Sequence, residues 1–274
     1  MTLLRHALSF LLFSCTISLV PVPVHAQSDG TKTLRSSASS ADSADSRLAG
    51  WEPMIVVTRN AQLFSGDDKG PRLPPGTIVY VSHRRDEWLL VPRWNQWLHA
   101  AHVRSLPTAV AAFTEELERA PTGELYHFRA IAESELGHLK SSLTDFDRAV
   151  DAGVVTSNLF VNRGLAWGCL HEPAKAIADF ARAIELDPRN PQAYFNRGVL
   201  HAHNGQPAAA MQDLNKAIEL EPAYAEALNN RGVLHLDNGQ LDAALADFNA
   251  ALEHRPRYPA ALTNRAYIYQ KRRQ

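Results

Sequence analysis

Cysteine is nearly absent. The chain has 274 residues and two cysteines, Cys15 and Cys169. Cys15 lies in an N-terminal apolar run, and Phe13-Ser14 before it is a poor lipoprotein signal. One remaining cysteine excludes an intrachain disulfide framework and an all-cysteine metal site, so packing must hold the fold. Long apolar runs are missing too. Ala7 to Val20 is 14 residues, too short to cross a bilayer, and no transmembrane span is expected. There is no excess of positive charge. The net charge is −1, and residues 106–254 carry 11 Lys/Arg against 21 Asp/Glu. That acidic middle argues against nucleic acid as a partner. Residues 51–105 carry 7 Lys/Arg against 5 Asp/Glu, and residues 255–274 carry six Lys/Arg and no acid, the latter a pattern expected of a solvated helical end.

Catalytic motifs are missing as well. There is no nucleophile elbow, phosphate loop or paired-cysteine motif. His171-Glu172-Pro173-Ala174-Lys175 imitates the start of a zinc-protease helix, but Lys175 stands where the second His must be. His201 and His203 point to different sides of a helix, and no carboxylate cluster joins His99 and His102. No enzyme activity, cofactor or metal is expected.

Residues 1–26 have the form of a cleavable signal peptide. A basic start, Arg5-His6, precedes the apolar run, and Val24-His25-Ala26 closes it with a small-x-small site. The chain is therefore expected to be exported. Residues 27–50 are Ser/Ala-rich and cannot bury enough surface to offset the entropy of ordering, so they form a flexible linker.

Residues 51–105 read as β structure, with strands at Met54–Thr58, Thr77–Val81, Trp88–Pro92 and Gln96–Ala100. The stretches Ser65–Gly70 and Leu73–Gly76 read as turns. Trp88 and Trp97 are expected in the core. Trp94, in the Arg93-Trp94-Asn95 turn, is the candidate surface aromatic. Pro74-Pro75-Gly76 before a strand, a charged turn leading into Trp88, and the closing strand Gln96–Val103 resemble a bacterial SH3-like domain. Gln96 stands where that family has Gly. The resemblance implies a small all-β barrel.

From Thr108 the pattern is helical, with a linking helix expected over 106–122. An internal repeat of 34 residues follows. It aligns Asn162-Arg163-Gly164 with Asn196-Arg197-Gly198 and Asn230-Arg231-Gly232, and Pro188 with Pro222 and Pro256. The units are 123–156, 157–190, 191–224 and 225–258, with a capping helix over 259–274. Gly164, Gly198 and Gly232 sit in mid-helix, where Gly costs about 1 kcal/mol against Ala; their recurrence points to a close helix contact. Phe146, Phe180, Leu214 and Phe248 are expected to fill it. The period and these residues resemble the tetratricopeptide repeat over about half the chain. The implied fold class is a multidomain chain: a small all-β SH3-like barrel followed by an all-α solenoid, an α-α superhelix.

Two ladders run through the repeats. Arg129, Arg163, Arg197 and Arg231 each precede an Asp by sixteen residues, at Asp145, Asp179, Asp213 and Asp247. That spacing joins the first helix of a unit to the second, so structural ion pairs are expected. Asn162, Asn196, Asn230 and Asn264 form the other ladder. In the family the first helices line a concave groove. The resemblance implies that these Asn side chains, with Leu165, Val199 and Val233 three residues on, bind an extended peptide; helix-surface bonding is the competing reading of the same Asn residues.

The expected function is a secreted or periplasmic, non-enzymatic scaffold. Its groove would hold an extended polypeptide, and its barrel a second partner or an envelope polymer. The alternatives are a self-association module and an accessory subunit of a cell-envelope enzyme.

Overall fold

The computed structural model describes residues 52–57, 61–66, 68–92 and 95–272. The leader, the linker and Trp94 lie outside the described residues. The chain divides into two compact units, one ending at Val155 and the other beginning at Thr156.

The first unit opens with eight short strands: β1 (Glu52–Val56), β2 (Ala61–Ser65), β3 (Asp68–Leu73), β4 (Ile78–Val81), β5 (His83–Arg85), β6 (Trp88–Val91), β7 (Gln96–His99) and β8 (Val103–Ser105). They form two antiparallel sheets, ordered β4-β1-β8 and β3-β2-β7-β6-β5. Val56, Leu63, Val79, Leu89, Val91, Leu98 and Val103 fill one core. Four of these strands were not read from the sequence. β3 runs through a stretch rich in Asp, Gly and Pro because β2 supplies its hydrogen bonds; pairing overrides weak intrinsic preference. Gly66, at φ +63°, makes the turn between them.

The tryptophans correct the sequence expectation. Side chains alternate across a strand, and Leu89, Val91 and Leu98 take the core face. Trp88 and Trp97 are half-buried instead. Trp88 sits edge-on to Phe64 and His99, with ring centroids 5.4 and 5.1 Å apart.

Among the described residues three helices follow in this unit: α1 (Leu106–Arg119), α2 (Gly123–Glu135) and α3 (Leu139–Asp151). Leu106, Ala109, Phe113 and Leu117 are the buried stripe of α1. The first helical repeat therefore groups with the strands. Side-chain contacts explain it: a Cβ on Gly76 would lie 2.8 Å from the Phe128 ring, and the Tyr80 hydroxyl is 3.4 Å from Glu135 Oε2. Burial and the nearby Glu135 carboxylate push the Tyr80 pKa up to about 12.

The second unit holds α4 (Ser157–Cys169), α5 (Pro173–Leu186), α6 (Pro191–His203), α7 (Pro207–Leu220), α8 (Ala225–Asp237), α9 (Leu241–His254) and α10 (Pro259–Lys271). Helices start where the sequence offers caps. Thr156 Oγ1 accepts from Leu159 N, and Asn190 Oδ1 accepts from Gln192 N and Ala193 N. Pro173, Pro191, Pro207 and Pro259 occupy first turns, where the missing N–H costs nothing. Gly205 and Gly239 turn the chain between paired helices with positive φ, and His171 holds φ +59° at the equivalent turn. It is exposed there. Among the described residues no helix is long and apolar enough to cross a membrane.

Within each pair the helices meet at the small residue. A Cβ on Gly164 would lie 2.7 Å from Phe180 Cε1, and one on Gly232 the same distance from Phe248 Cε1. Gly198 is less crowded, 3.1 Å from Asp213 Cβ and 3.3 Å from Leu214 Cγ.

In α2, the His127 ring lies 6.0 Å from both the Phe128 and Phe146 rings, with Nε2 buried and no hydrogen-bond partner among the described residues. Burial lowers its pKa from 6.5 to about 4. The unfolded chain then binds more protons than the folded chain between those values, so stability is full above pH 6.5 and falls as pH drops toward 4. Chemical-denaturation titrations of wild type against His127→Phe should show this. The wild type should lose up to about 3 kcal/mol more than the variant across that window.

Candidate interaction surface

The repeated Arg side chains each grip a carboxylate with two parallel hydrogen bonds. Arg129 donates from Nε and Nη2 to Asp145 at 2.6 and 2.8 Å. Arg163 meets Asp179 at 2.8 and 2.6 Å, Arg197 meets Asp213 at 2.8 and 2.7 Å, and Arg231 meets Asp247 at 2.9 and 2.6 Å. All four Asp side chains are nearly inaccessible, at 3–8% exposure. Hydrogen bonding to Asp213 and Asp247 raises the pKa of Arg197 and Arg231 against the pull of desolvation. The planar guanidinium is suited to this because its fork matches the two carboxylate oxygens.

A third nitrogen reaches further. Arg231 Nη1 donates to Asn215 Oδ1 at 2.9 Å, and Arg265 Nη1 to Asn249 Oδ1 at 3.1 Å. In the first unit, Arg129 Nη1 donates to Thr114 Oγ1 at 3.0 Å. The Arg thus ties its own pair to the preceding helix. Asn215 and Asn249 are a period apart in the sequence, which was the available signal for them. His201 and His235 sit 3.9 and 3.8 Å from the same Asp213 and Asp247, and donate from Nδ1 to Oε1 of Gln206 and Gln240.

The Asn ladder lies on the first helices of the second unit, but its members differ in access. Asn162 and Asn264 are buried, at 9% and 4% exposure. Asn264 Nδ2 donates to Asn229 Oδ1 at 3.0 Å, a bond between neighbouring first helices. Asn196 and Asn230 are half-buried, and the Asn196 Nδ2 has no acceptor among the described residues. A row of four water-facing amides, as the sequence suggested, is therefore not what the structure holds. The reason is packing: first helices of successive repeats approach closely enough to cover amides at two of the four positions. Of the apolar candidates, Leu165 is half-buried and Val199 is buried. Val233 packs on the cluster of Leu236, Ala244, Phe248 and Ile268.

Other polar links close individual repeats. Asn190 Nδ2 donates to Ser157 Oγ at 2.9 Å, and Ser157 Oγ to the Ala183 carbonyl at 2.9 Å. Arg255, buried, donates to Glu226 Oε1 at 2.8 Å and lies over the Tyr258 ring. No group of His, Cys, Asp and Glu able to hold a metal occurs among the described residues.

Two tetratricopeptide-repeat family models match residues 170–229 and 225–258. Residues 170–258 match tetratricopeptide repeats. No curated protein matches the chain significantly. Among solved structures, YrrB, described as a TPR protein with an unusual peptide-binding site, is 25% identical at TM-score 0.50, covering 58% of this chain and 82% of its own. TTC0263 from Thermus thermophilus is 22% identical at TM-score 0.50, covering 60% and 91%. MamA from Desulfovibrio magneticus is 17% identical at TM-score 0.51, covering 55% and 85%. The last two share the fold.

The ion pairs predict unequal sensitivity. Arg197→Ala strands a buried carboxylate and should cost about 3 kcal/mol. Arg265 holds only Asn249 among the described residues, at an exposed contact, so Arg265→Ala should cost about 1 kcal/mol or less. Urea unfolding of the two variants checks this; equal losses contradict it.

Proposed function

We propose that the chain is an exported, non-enzymatic scaffold whose repeats hold an extended segment of another protein, while its β module holds a second partner or an envelope polymer. Tetratricopeptide repeats are interaction modules, and YrrB, a repeat protein with the same fold, is described with a peptide-binding site. The observation that carries the reading is Asn196 and Asn230, half-buried at equivalent positions on α6 and α8, with the Asn196 Nδ2 buried and without an acceptor among the described residues. An amide offers donor and acceptor together, so it can bond a peptide backbone without reading its sequence. Stacked helix pairs lie about 10 Å apart and an extended chain rises about 3.3 Å per residue, so every third backbone unit can meet an Asn. Asn162 and Asn264 serve packing instead, and Leu165 adds apolar contact at the edge. Export accords with the signal-peptide form of residues 1–26.

The test begins with a photo-crosslinking amino acid at position 196 in the protein's own cells. Mass spectrometry of the adduct should map to one unstructured segment of another protein. Against that segment as a synthetic peptide, Asn196→Ala with Asn230→Ala should weaken binding about 30-fold if two hydrogen bonds of about 1 kcal/mol add. Thermal unfolding should be nearly unchanged. A double variant that is folded and binds normally removes this surface from the account.

A further inference from the structure

Helix α10 presents a face that its counterparts in the same unit bury. Leu262 and Tyr269 are 40% and 47% exposed, and Ala266 between them is exposed too. With Arg265 they fall at spacings of three, four and seven, one stripe of a helix. The opposite side of α10 is packed: Ala261 and Ile268 are fully buried, and Asn264 nearly so.

The repeat period identifies what this stripe matches. Leu262 corresponds to Leu228 in α8 and Phe160 in α4, buried at 4% and 6% exposure, and to Tyr194 in α6, half-buried. Ala266 corresponds to Gly232 and Gly164, which receive Phe248 and Phe180. Arg265 corresponds to Arg231, Arg197 and Arg163, each of which clamps an Asp through Nε and Nη2. At the Gly and Arg positions the covering element is the second helix of the pair, α5, α7 or α9. That helix carries one pattern: Ala176, Ala210 or Ala244, then an Asp three residues on, a Phe or Leu next, and an Ala three beyond it.

Half of the arrangement is already made at α10. Arg265 Nη1 holds Asn249, as Arg231 Nη1 holds Asn215. That contact orients the guanidinium, and no carboxylate meets its other edge among the described residues. A cation set in place, flanked by an apolar residue a turn on either side and a small residue beside it, is complementary to an anionic amphipathic helix.

We propose that the Leu262, Arg265, Ala266 and Tyr269 face of α10 docks a helix from a partner protein, one that presents small-x-x-Asp-(Phe/Leu)-x-x-Ala and so supplies the second helix of a fifth pair. The Asp accepts from Arg265 Nε and Nη2. The Phe or Leu rests on Ala266 between Leu262 and Tyr269. This surface is independent of the peptide face proposed above, and either can fail without the other.

The probe is a fluorescein-labelled peptide copying residues 239–256, which contains α9, titrated with the full chain and read by anisotropy. Saturable binding is expected, weakened about tenfold or more when the peptide carries Asp247→Asn or Phe248→Ala, or when the protein carries Arg265→Gln. The Asn196→Ala variant should bind the probe as wild type does. The peptide substitutions leave the protein untouched, so a folding defect cannot imitate the result. No saturation up to about 1 mM overturns the proposal. So does equal affinity for the Asp247→Asn peptide, or for the Arg265→Gln protein, which would place the probe elsewhere. A homodimer seen by sedimentation and abolished by Leu262→Asp would also overturn it, by assigning the face to a second copy.

Discussion

Two helix pairs in this chain, α4–α5 and α8–α9, depend on an approach so close that a side chain is excluded. At Gly164 and Gly232 a methyl group would collide with a buried phenylalanine ring, and fully buried rings in a dense core have little room to retreat. Beside that contact stands the Arg–Asp pair, with both carboxylate oxygens occupied. The ring supplies apolar burial, and the ion pair sets the angle and register at which the helices meet. A buried pair of this kind adds little net stability against a good apolar substitute, but it penalises every arrangement that leaves the carboxylate alone. Glycine in mid-helix carries its own cost, and the contact it permits is the compensation.

That frame decides what is left for binding. Burying one side of each first helix against its partner, and part of another against the neighbouring repeat, leaves a narrow strip. Asn196 and Asn230 retain access on it, while Asn264 is spent on Asn229. The residues that give the array its register therefore sit one position from those proposed to hold a peptide. A change at an Arg should move the neighbouring Asn, whereas a change at an Asn should leave the frame intact.

The repeats were legible because their constraints are periodic. A sixteen-residue spacing between Arg and Asp, recurring every 34 residues, has few meanings other than a contact between paired helices. The access of individual Asn residues was not legible, since it depends on how closely successive repeats stack, and that distance leaves no mark in the periodicity. In the strands, β3 and β5 are short, polar and held by their neighbours, so propensity alone passes over them. A strand position alone does not place Trp88 and Trp97 in the core, because successive side chains alternate across the sheet: Leu89 and Leu98, one residue away, take the core. The grouping of the first repeat with the strands rests on Tyr80, Gly76 and Phe128, residues distant in sequence and unmarked by any motif.

Arg and Asp act as one unit in fixing the pairs that contain both. A double-mutant cycle on Arg231 and Asp247, with Arg231→Leu, Asp247→Ala and both together followed by urea unfolding, measures that directly. The account predicts a coupling of about 2 kcal/mol or more, with the double variant less destabilised than the sum of the singles. Additive losses, with coupling near zero, would contradict it and leave the ring-on-glycine contact as the sole determinant of the pair.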